Sequence, residues 1–188
     1  MVKKLLTGFL GSIICLSFLG MAQAAPVQFA GNGHYYNAIG SGITWDDALV
    51  AAASLSYNGQ SGYLATLTSQ AENDFVVNNL GNVWGYWLGA LQPDGSAIPD
   101  QDWHWITGEA WSYTNWAGGE PNDCYGPASE QVLQMWYGGG WNDERHFTVY
   151  NTGFVVEYPV PEPASLLLLS SGLAGLWAAR GKKRNRQL

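Results

Sequence analysis

Two apolar runs, one at each end of the 188-residue chain and each flanked by positive charge, leave only the residues between them to build a folded domain. At the start, Lys3 and Lys4 precede an apolar run from Leu5 to Leu19, and Ala22-Gln23-Ala24 fits the small-x-small pattern cut by signal peptidase. Residues 1–24 therefore read as a signal peptide, with the mature chain beginning near Ala25 and working outside the cytoplasm. At the other end, Val160-Pro161-Glu162-Pro163 leads into sixteen apolar or small residues, 164–179, and then into Arg180, Lys182, Lys183, Arg184 and Arg186. That run is shorter than the roughly 20 residues that span a bilayer comfortably. Its basic tail belongs on the cytoplasmic side, so residues 164–179 are expected to anchor the chain transiently with residues 25–159 exported.

The interval between these segments is strongly acidic. From 25 to 160 the only Lys or Arg is Arg145, against fourteen Asp and Glu, a net charge of −13. Such a field repels phosphate backbones and excludes nucleic acid as a partner. It also costs stability through self-repulsion unless a cation binds. Covalent help is absent. Cys15 departs with the signal, Cys124 is left without an intrachain partner, and the domain must hold by packing.

Nine of the ten Trp and most of the Gly lie in this interval, which argues for an ordered domain rich in short strands and turns. Two helices are expected. Thr44 caps the first, with Asp47 as an acidic capping-box partner and Trp45, Ala48, Leu49 and Ala52 as the apolar stripe. Ser69 opens the second, with Glu72 completing the box and Phe75, Val76 and Leu80 facing inward. Short strands are expected at 63–67, 87–90, 103–106, 132–136 and 154–158, from their β-branched and aromatic content. Long Gly/Asp/Pro/Asn stretches, 92–102 and 117–129, separate them, and loops of that length are usually functional. The architecture read from these patterns is α+β, helices first and antiparallel sheet after.

The ordered set Trp45-x-x-Ala48, Gly62-Tyr63-Leu64-Ala65-Thr66-Leu67, Ser69-x-x-Glu72-Asn73-x-Phe75, Trp87-Leu88-Gly89, Tyr113-x-Asn115-Trp116, Glu120-Pro121-Asn122, Trp141-Asn142-Asp143 and Phe154-Val155-Val156-Glu157 resembles a C-type lectin-like domain over roughly residues 33–158. The Pro-Glu-Pro motif, apolar run and basic end of residues 160–188 resemble a PEP-CTERM sorting signal. That second resemblance implies recognition by an exosortase and delivery to the cell surface or extracellular matrix. The first implies an α+β fold of two helices and small antiparallel sheets with a long calcium-binding loop region. Here the fold lacks the family's usual disulfides, since Ala52, Val156 and Val132 stand where three of the cysteines would lie. A lost disulfide costs about 2–5 kcal/mol, an amount that burial of a few large apolar side chains offsets.

The lectin resemblance also implies a ligand set. Glu120, Asn122, Glu130, Asn142 and Asp143 match the family's principal Ca²⁺ site, and the resemblance implies a cis Glu120–Pro121 bond, which the proline permits. Three carboxylates and two amides suit a hard divalent ion that takes six to eight oxygens, and poorly suit a soft metal. The same five residues would bind carbohydrate, because incomplete coordination leaves room for two vicinal hydroxyls. Glu-Pro-Asn goes with mannose- and glucose-type sugars, so an extracellular polysaccharide or glycan is the expected partner. Asp94 and Asp123 are candidates for an auxiliary ion. Trp141 is expected in the core. No nucleophile elbow, zinc-helix motif, phosphate-binding loop or Cys/His pair is present, so no enzyme is expected. The alternative to a lectin is a matrix or adhesion protein that uses the fold to bind protein, with calcium structural or absent.

Overall fold

The computed structural model describes residues 24–161; nearly all of the expected signal peptide and the whole apolar segment 164–179 lie outside the described residues. Two helices form where the sequence offers caps. The first, α1 (Trp45–Ser54), has Thr44 as its N-cap. The Thr44 hydroxyl accepts from the Asp47 N–H at 3.1 Å and donates to the Asp47 carboxylate at 2.8 Å. Trp45, Ala48 and Ala52 form its buried face. The second, α2 (Gln70–Asn79), is capped by Ser69, which accepts from the Glu72 N–H at 3.3 Å.

The reciprocal half of this second box is not made, contrary to the expectation for Glu72. Its carboxylate turns inward and is buried. There it takes the Thr68 N–H (2.7 Å), the Thr68 hydroxyl (3.0 Å), the Asn32 amide (2.8 Å) and the Tyr36 hydroxyl. A carboxylate withdrawn from water needs several donors, and four of them outweigh one cap bond. Leu80 ends the helix as its C-cap and, with Phe75, packs against the core cluster that holds Val76.

The strands are β1 (Val27–Gln28), β2 (Tyr35–Gly40), β3 (Ser56–Tyr57), β4 (Gln60–Ser61), β5 (Tyr63–Leu64), β6 (Tyr86–Leu91), β7 (His104–Trp105), β8 (Val132–Met135), β9 (Trp141–Glu144) and β10 (Gly153–Tyr158). The main sheet runs β1-β2-β10-β6-β8-β9, with β5 also on β10 and β7 on β6, while β3 and β4 make a separate hairpin. Two features depart from the helices-first, antiparallel expectation. β2 precedes both helices, and β10 pairs with β6 in parallel. β10 lies between β2 and β6, antiparallel to the first and parallel to the second. β2 (YYNAIG) and β9 (WNDE) also escape a local reading, because their polar and glycine residues carry no strand alternation and the partner strands alone define them.

The positions that lack cysteine are filled by packing. Ala52, Val132 and Val156 are buried in one cluster with Trp45, Leu64, Trp87, Phe154 and Tyr158. A side chain on Gly62 would lie 2.6 Å from Val156 Cγ1 and 2.9 Å from the Ala52 carbonyl, so only glycine admits this close approach. A second cluster gathers Trp103, Trp105 and Trp141, with Trp111 and Trp116 packed against it. Among the described residues the only free cysteine is Cys124, which is exposed.

Another buried carboxylate, Glu157 at the end of β10, holds the N-terminal segment. It accepts from the Thr66 N–H at 2.9 Å, and His34 Nδ1 lies 2.6 Å from its other oxygen. The Glu157 contact raises the His34 pKa above its usual value, burial opposing it. A raised imidazole pKa stabilises the fold fully below about pH 6.5, and that contribution is lost as pH climbs through the folded value. The melting temperature should therefore fall more steeply in wild type than in His34→Gln between about pH 6 and 8.5. Parallel pH profiles of the two would show the pair to be inert.

Candidate functional site

The expected ligands come from two places that the topology brings together. Glu120 and Asn122 lie on the loop after Trp116, which itself bridges to Trp141 at the head of β9. Glu130 lies two residues before β8, and Asn142 and Asp143 lie within β9, antiparallel to β8 with Leu133 opposite Asp143. The Glu120–Pro121 bond is cis, as the resemblance implies.

Asp143, fully buried, is the hub. It accepts from the Asn122 N–H with both oxygens at 3.0 Å and from the Asp123 N–H at 2.9 Å, which docks the loop onto β9. Glu130, also buried, accepts from the Cys124 N–H at 2.7 Å and faces the Cys124 sulfur at 3.5 Å. Glu120 is half-buried, and its Oε2 is buried with no hydrogen-bond partner among the described residues. Burial, then the Asp143 and Glu130 carboxylates, push Glu120 up to about 7. Burial likewise raises Glu130 and Asp143 against the loop N–H groups that favour their charge. Asn122 is exposed. Asn142 is less aligned with the set, since its amide nitrogen donates to Gln134 at 3.1 Å and to the Asp143 carbonyl at 2.6 Å.

Glu120, Glu130 and Asp143 thus lie near enough to act on one another's charge, Asn122 reaches Asp143 through its backbone N–H, and Asn142 has its amide nitrogen turned to the sheet. The arrangement is short of positive charge. An orphaned carboxylate oxygen among like charges, in an all-oxygen donor set, fits a hard divalent cation. The fit is incomplete as it stands: among the described residues no three of His, Cys, Asp and Glu are grouped closely enough to hold a metal ion by themselves. Asp143 and Glu130 spend their oxygens on loop N–H groups instead.

Sequence reasoning missed how this loop is held. Asp123, considered as an auxiliary ligand, is buried and accepts from the N–H groups of Ala128 (3.0 Å), Ser129 (3.0 Å) and Glu130 (2.9 Å). It closes the loop, an aspartate mimicking a backbone turn, and is committed there. Asp94, the other candidate, is exposed on the separate 92–102 stretch. That stretch is pinned in the same manner by buried Gln92, whose amide donates to the carbonyls of Ile98 (3.1 Å), Pro99 (3.1 Å) and Gln101 (2.5 Å). Arg145, the lone cation of the interval, lies on the rim of the site with its guanidinium 3.9 Å over the Tyr125 ring and its Nε 3.5 Å from Glu144. Such a surface pair contributes under about 1 kcal/mol. Desolvation, then the Glu130 carboxylate, push the Cys124 thiol up to about 11, which leaves it protonated and a poor nucleophile at neutral pH.

A two-helix fold with a cis Glu-Pro bond, a docked long loop and an acidic β9 defines a lectin-type domain, and comparison with known proteins agrees. The chain belongs to the C-type lectin domain family, whose model matches residues 42–151, and it carries a PEP-CTERM protein-sorting motif at 159–184. It is 33% identical over 140 residues to halomucin of Haloquadratum walsbyi, a match spanning 68% of this chain and 1% of that protein. It is 31% identical over 111 residues to a perlucin-like protein of Mytilus galloprovincialis, covering 54% of this chain and 62% of the relative. The chain thus spans less than two thirds of the length of either relative. The cow CD23 C-type carbohydrate-recognition domain, determined in the presence of a GlcNAc2Man3 oligosaccharide, is 28% identical with a TM-score of 0.57 over 73% of this chain and 95% of that one. Residues 42–151 are therefore a domain of a non-enzymatic lectin-type family, in a chain whose sorting motif marks it for export.

Proposed function

We propose that this chain binds extracellular polysaccharide through Ca²⁺ held by Glu120, Asn122, Glu130, Asn142 and Asp143, favouring mannose- or glucose-type units, and that an exosortase processes its C-terminus at the cell surface. The carrying observation is the Glu120 Oε2 atom, buried without a donor beside two further carboxylates. Bound Ca²⁺ would neutralise this cluster and offer coordination positions to two vicinal sugar hydroxyls. Around it, the carboxylates accept hydrogen bonds from those hydroxyls and the Asn122 amide donates to them. A single shallow site of this kind binds weakly, so display in many copies at a surface or matrix supplies the avidity. The likeness to the CD23 domain, determined with a mannose-containing oligosaccharide, supports the sugar class.

The test is calcium titration calorimetry of the full chain, followed by a glycan array in calcium and in EGTA. Calcium should bind at millimolar levels or below and raise the melting temperature, as any ligand of the native state must. Mannose-type glycans should be retained in calcium, released by EGTA, and lost in Glu120→Gln/Asn122→Asp with calcium uptake intact. Absence of calcium uptake would overturn the proposal.

A second reading, a matrix or adhesion protein that binds protein partners, is favoured by one observation: the Asp143 and Glu130 carboxylates are already satisfied by loop N–H groups. It expects a domain whose stability is indifferent to EGTA, or one stabilised by calcium without retaining any glycan.

A further inference from the structure

A cleft of about 230 Å³ opens where the chain leaves α2, enters β6 and meets the β8–β9 turn, and Val77, Val83, Trp84, Met135, Trp136 and Gly139 line it. Trp84 and Trp136 line it with ring centroids 5.8 Å apart, and Tyr137 stands beside both. Trp84 stacks on Tyr137 at 5.0 Å with 20° between planes, and Trp136 stands edge-on to Tyr137 at 5.1 Å. Tyr137 is 64% exposed, and both indoles are partly exposed. No charged side chain lines the cleft, although the interval that contains it carries fourteen carboxylates.

The platform is set before any ligand arrives. Gly138 and Gly139 adopt left-handed φ values of +66° and +82° in the turn that carries Trp136 and Tyr137. The Gly139 carbonyl accepts from the Asn73 amide at 3.0 Å and from the Asn115 amide at 2.7 Å, which fastens the turn to α2 and to the segment ahead of the long loop. One polar atom is left over: Trp84 Nε1 is buried with no acceptor among the described residues. A buried donor without a partner is rare in native structures and calls for one from outside.

We infer that this cleft binds one pyranose unit of a neutral polysaccharide, independently of calcium. The C–H face of a pyranose carries partial positive charge and packs on the electron-rich faces of indole and phenol rings. A ring hydroxyl accepts from Trp84 Nε1. The uncharged lining excludes phosphate, carboxylate and amine ligands, which would be desolvated there without a counter-charge. The volume, below the roughly 300–1,000 Å³ of drug-sized pockets, suits a single sugar ring. This cleft is separate from the Glu120 site. Glu130 lies before Val132 at one end of the β8–β9 hairpin, and Trp136 follows Met135 at the other, about 20 Å along an extended chain. Nothing in the inference depends on calcium occupying the first site.

The experiment follows the indole N–H resonances of the ¹⁵N-labelled full chain while cellotetraose, maltotetraose and mannotetraose are added separately, in EGTA and again in calcium. The Trp84 indole signal should shift saturably with at least one of the three, with the same affinity in both buffers. Read on the Trp136 indole signal, Trp84→Phe, which keeps a ring and deletes the N–H, and Tyr137→Ala, at an exposed position, should each weaken that binding about tenfold. Their amide spectra would establish that both variants remain folded. A Trp84 signal unmoved by all three oligosaccharides, a shift that appears only with calcium, or variants that bind as wild type would overturn the inference.

Discussion

Replacing Trp141 with Ala is expected to cost about 3–5 kcal/mol, enough to unfold a marginal domain without disulfides. Trp141 is fully buried at the head of β9. Its ring meets Trp105 (5.6 Å), Tyr113 (5.4 Å) and Trp116 (5.9 Å) nearly edge-on, so truncation empties the centre of the aromatic cluster. Its indole N–H donates to Asn73 at 2.8 Å, the same Asn73 that holds the Gly139 carbonyl. The loss therefore spreads from core to turn. Because Trp141 also pairs with Asn115 and Ala117 through its backbone, it sets where Asn142 and Asp143 stand. Urea denaturation gives the number. Trp141→Phe should lose less, and a loss under about 1 kcal/mol for the alanine variant would mean that the indole cluster is not the keystone of the core.

Gly89→Ala should be comparably damaging for the opposite reason. A Cβ there would lie 2.2 Å from the Leu64 carbonyl oxygen and 3.0 Å from its carbon, both backbone atoms. The strand cannot slide away, because the Gly89 N–H donates to the Ala65 carbonyl at 2.8 Å and its own carbonyl accepts from Ile106 at 2.9 Å. Overpacking usually costs about 1–3 kcal/mol, and with backbone on both sides this position belongs at or above the upper end. Gly118→Ala, where nothing lies within 4 Å, is the control and should stay within about 0.5 kcal/mol of wild type. Equal melting temperatures for the two variants would contradict the close approach of β6 to β5.

These two residues also mark what the chain reveals of itself before folding. Trp141 was readable as core, as were both helices, because caps and apolar spacing act within a few residues. Gly89 belonged to a recognisable pattern, but its reason lies with Leu64, on another strand. β9 is similar: Trp-Asn-Asp-Glu has no strand signature, and only its ladder with β8 makes it one. Glu72 illustrates the limit of a local rule, since the capping box weighs one bond and the fold offered its carboxylate four. In the candidate site, the ligand set came through family resemblance and the acidity through composition. The competition between loop N–H groups and a cation for Asp143 and Glu130 depends on how residues 120–130 fold back on β9, which no spacing rule encodes. Asp123 and Gln92 show the same thing on two loops, where one buried polar side chain decides the course of a long segment.

The order of the main sheet has a mechanical consequence. The Asn37 amide donates to the Ala24 carbonyl at 2.8 Å, Val27 and Gln28 lie against Tyr36 and Tyr35, and Tyr35 faces Tyr158 across the ladder. Entry and exit thus share one flank, while Glu120, Glu130 and Asp143 occupy the flank beyond β6. A domain tethered by either terminus would hang from that side with the acidic loop pointing outward.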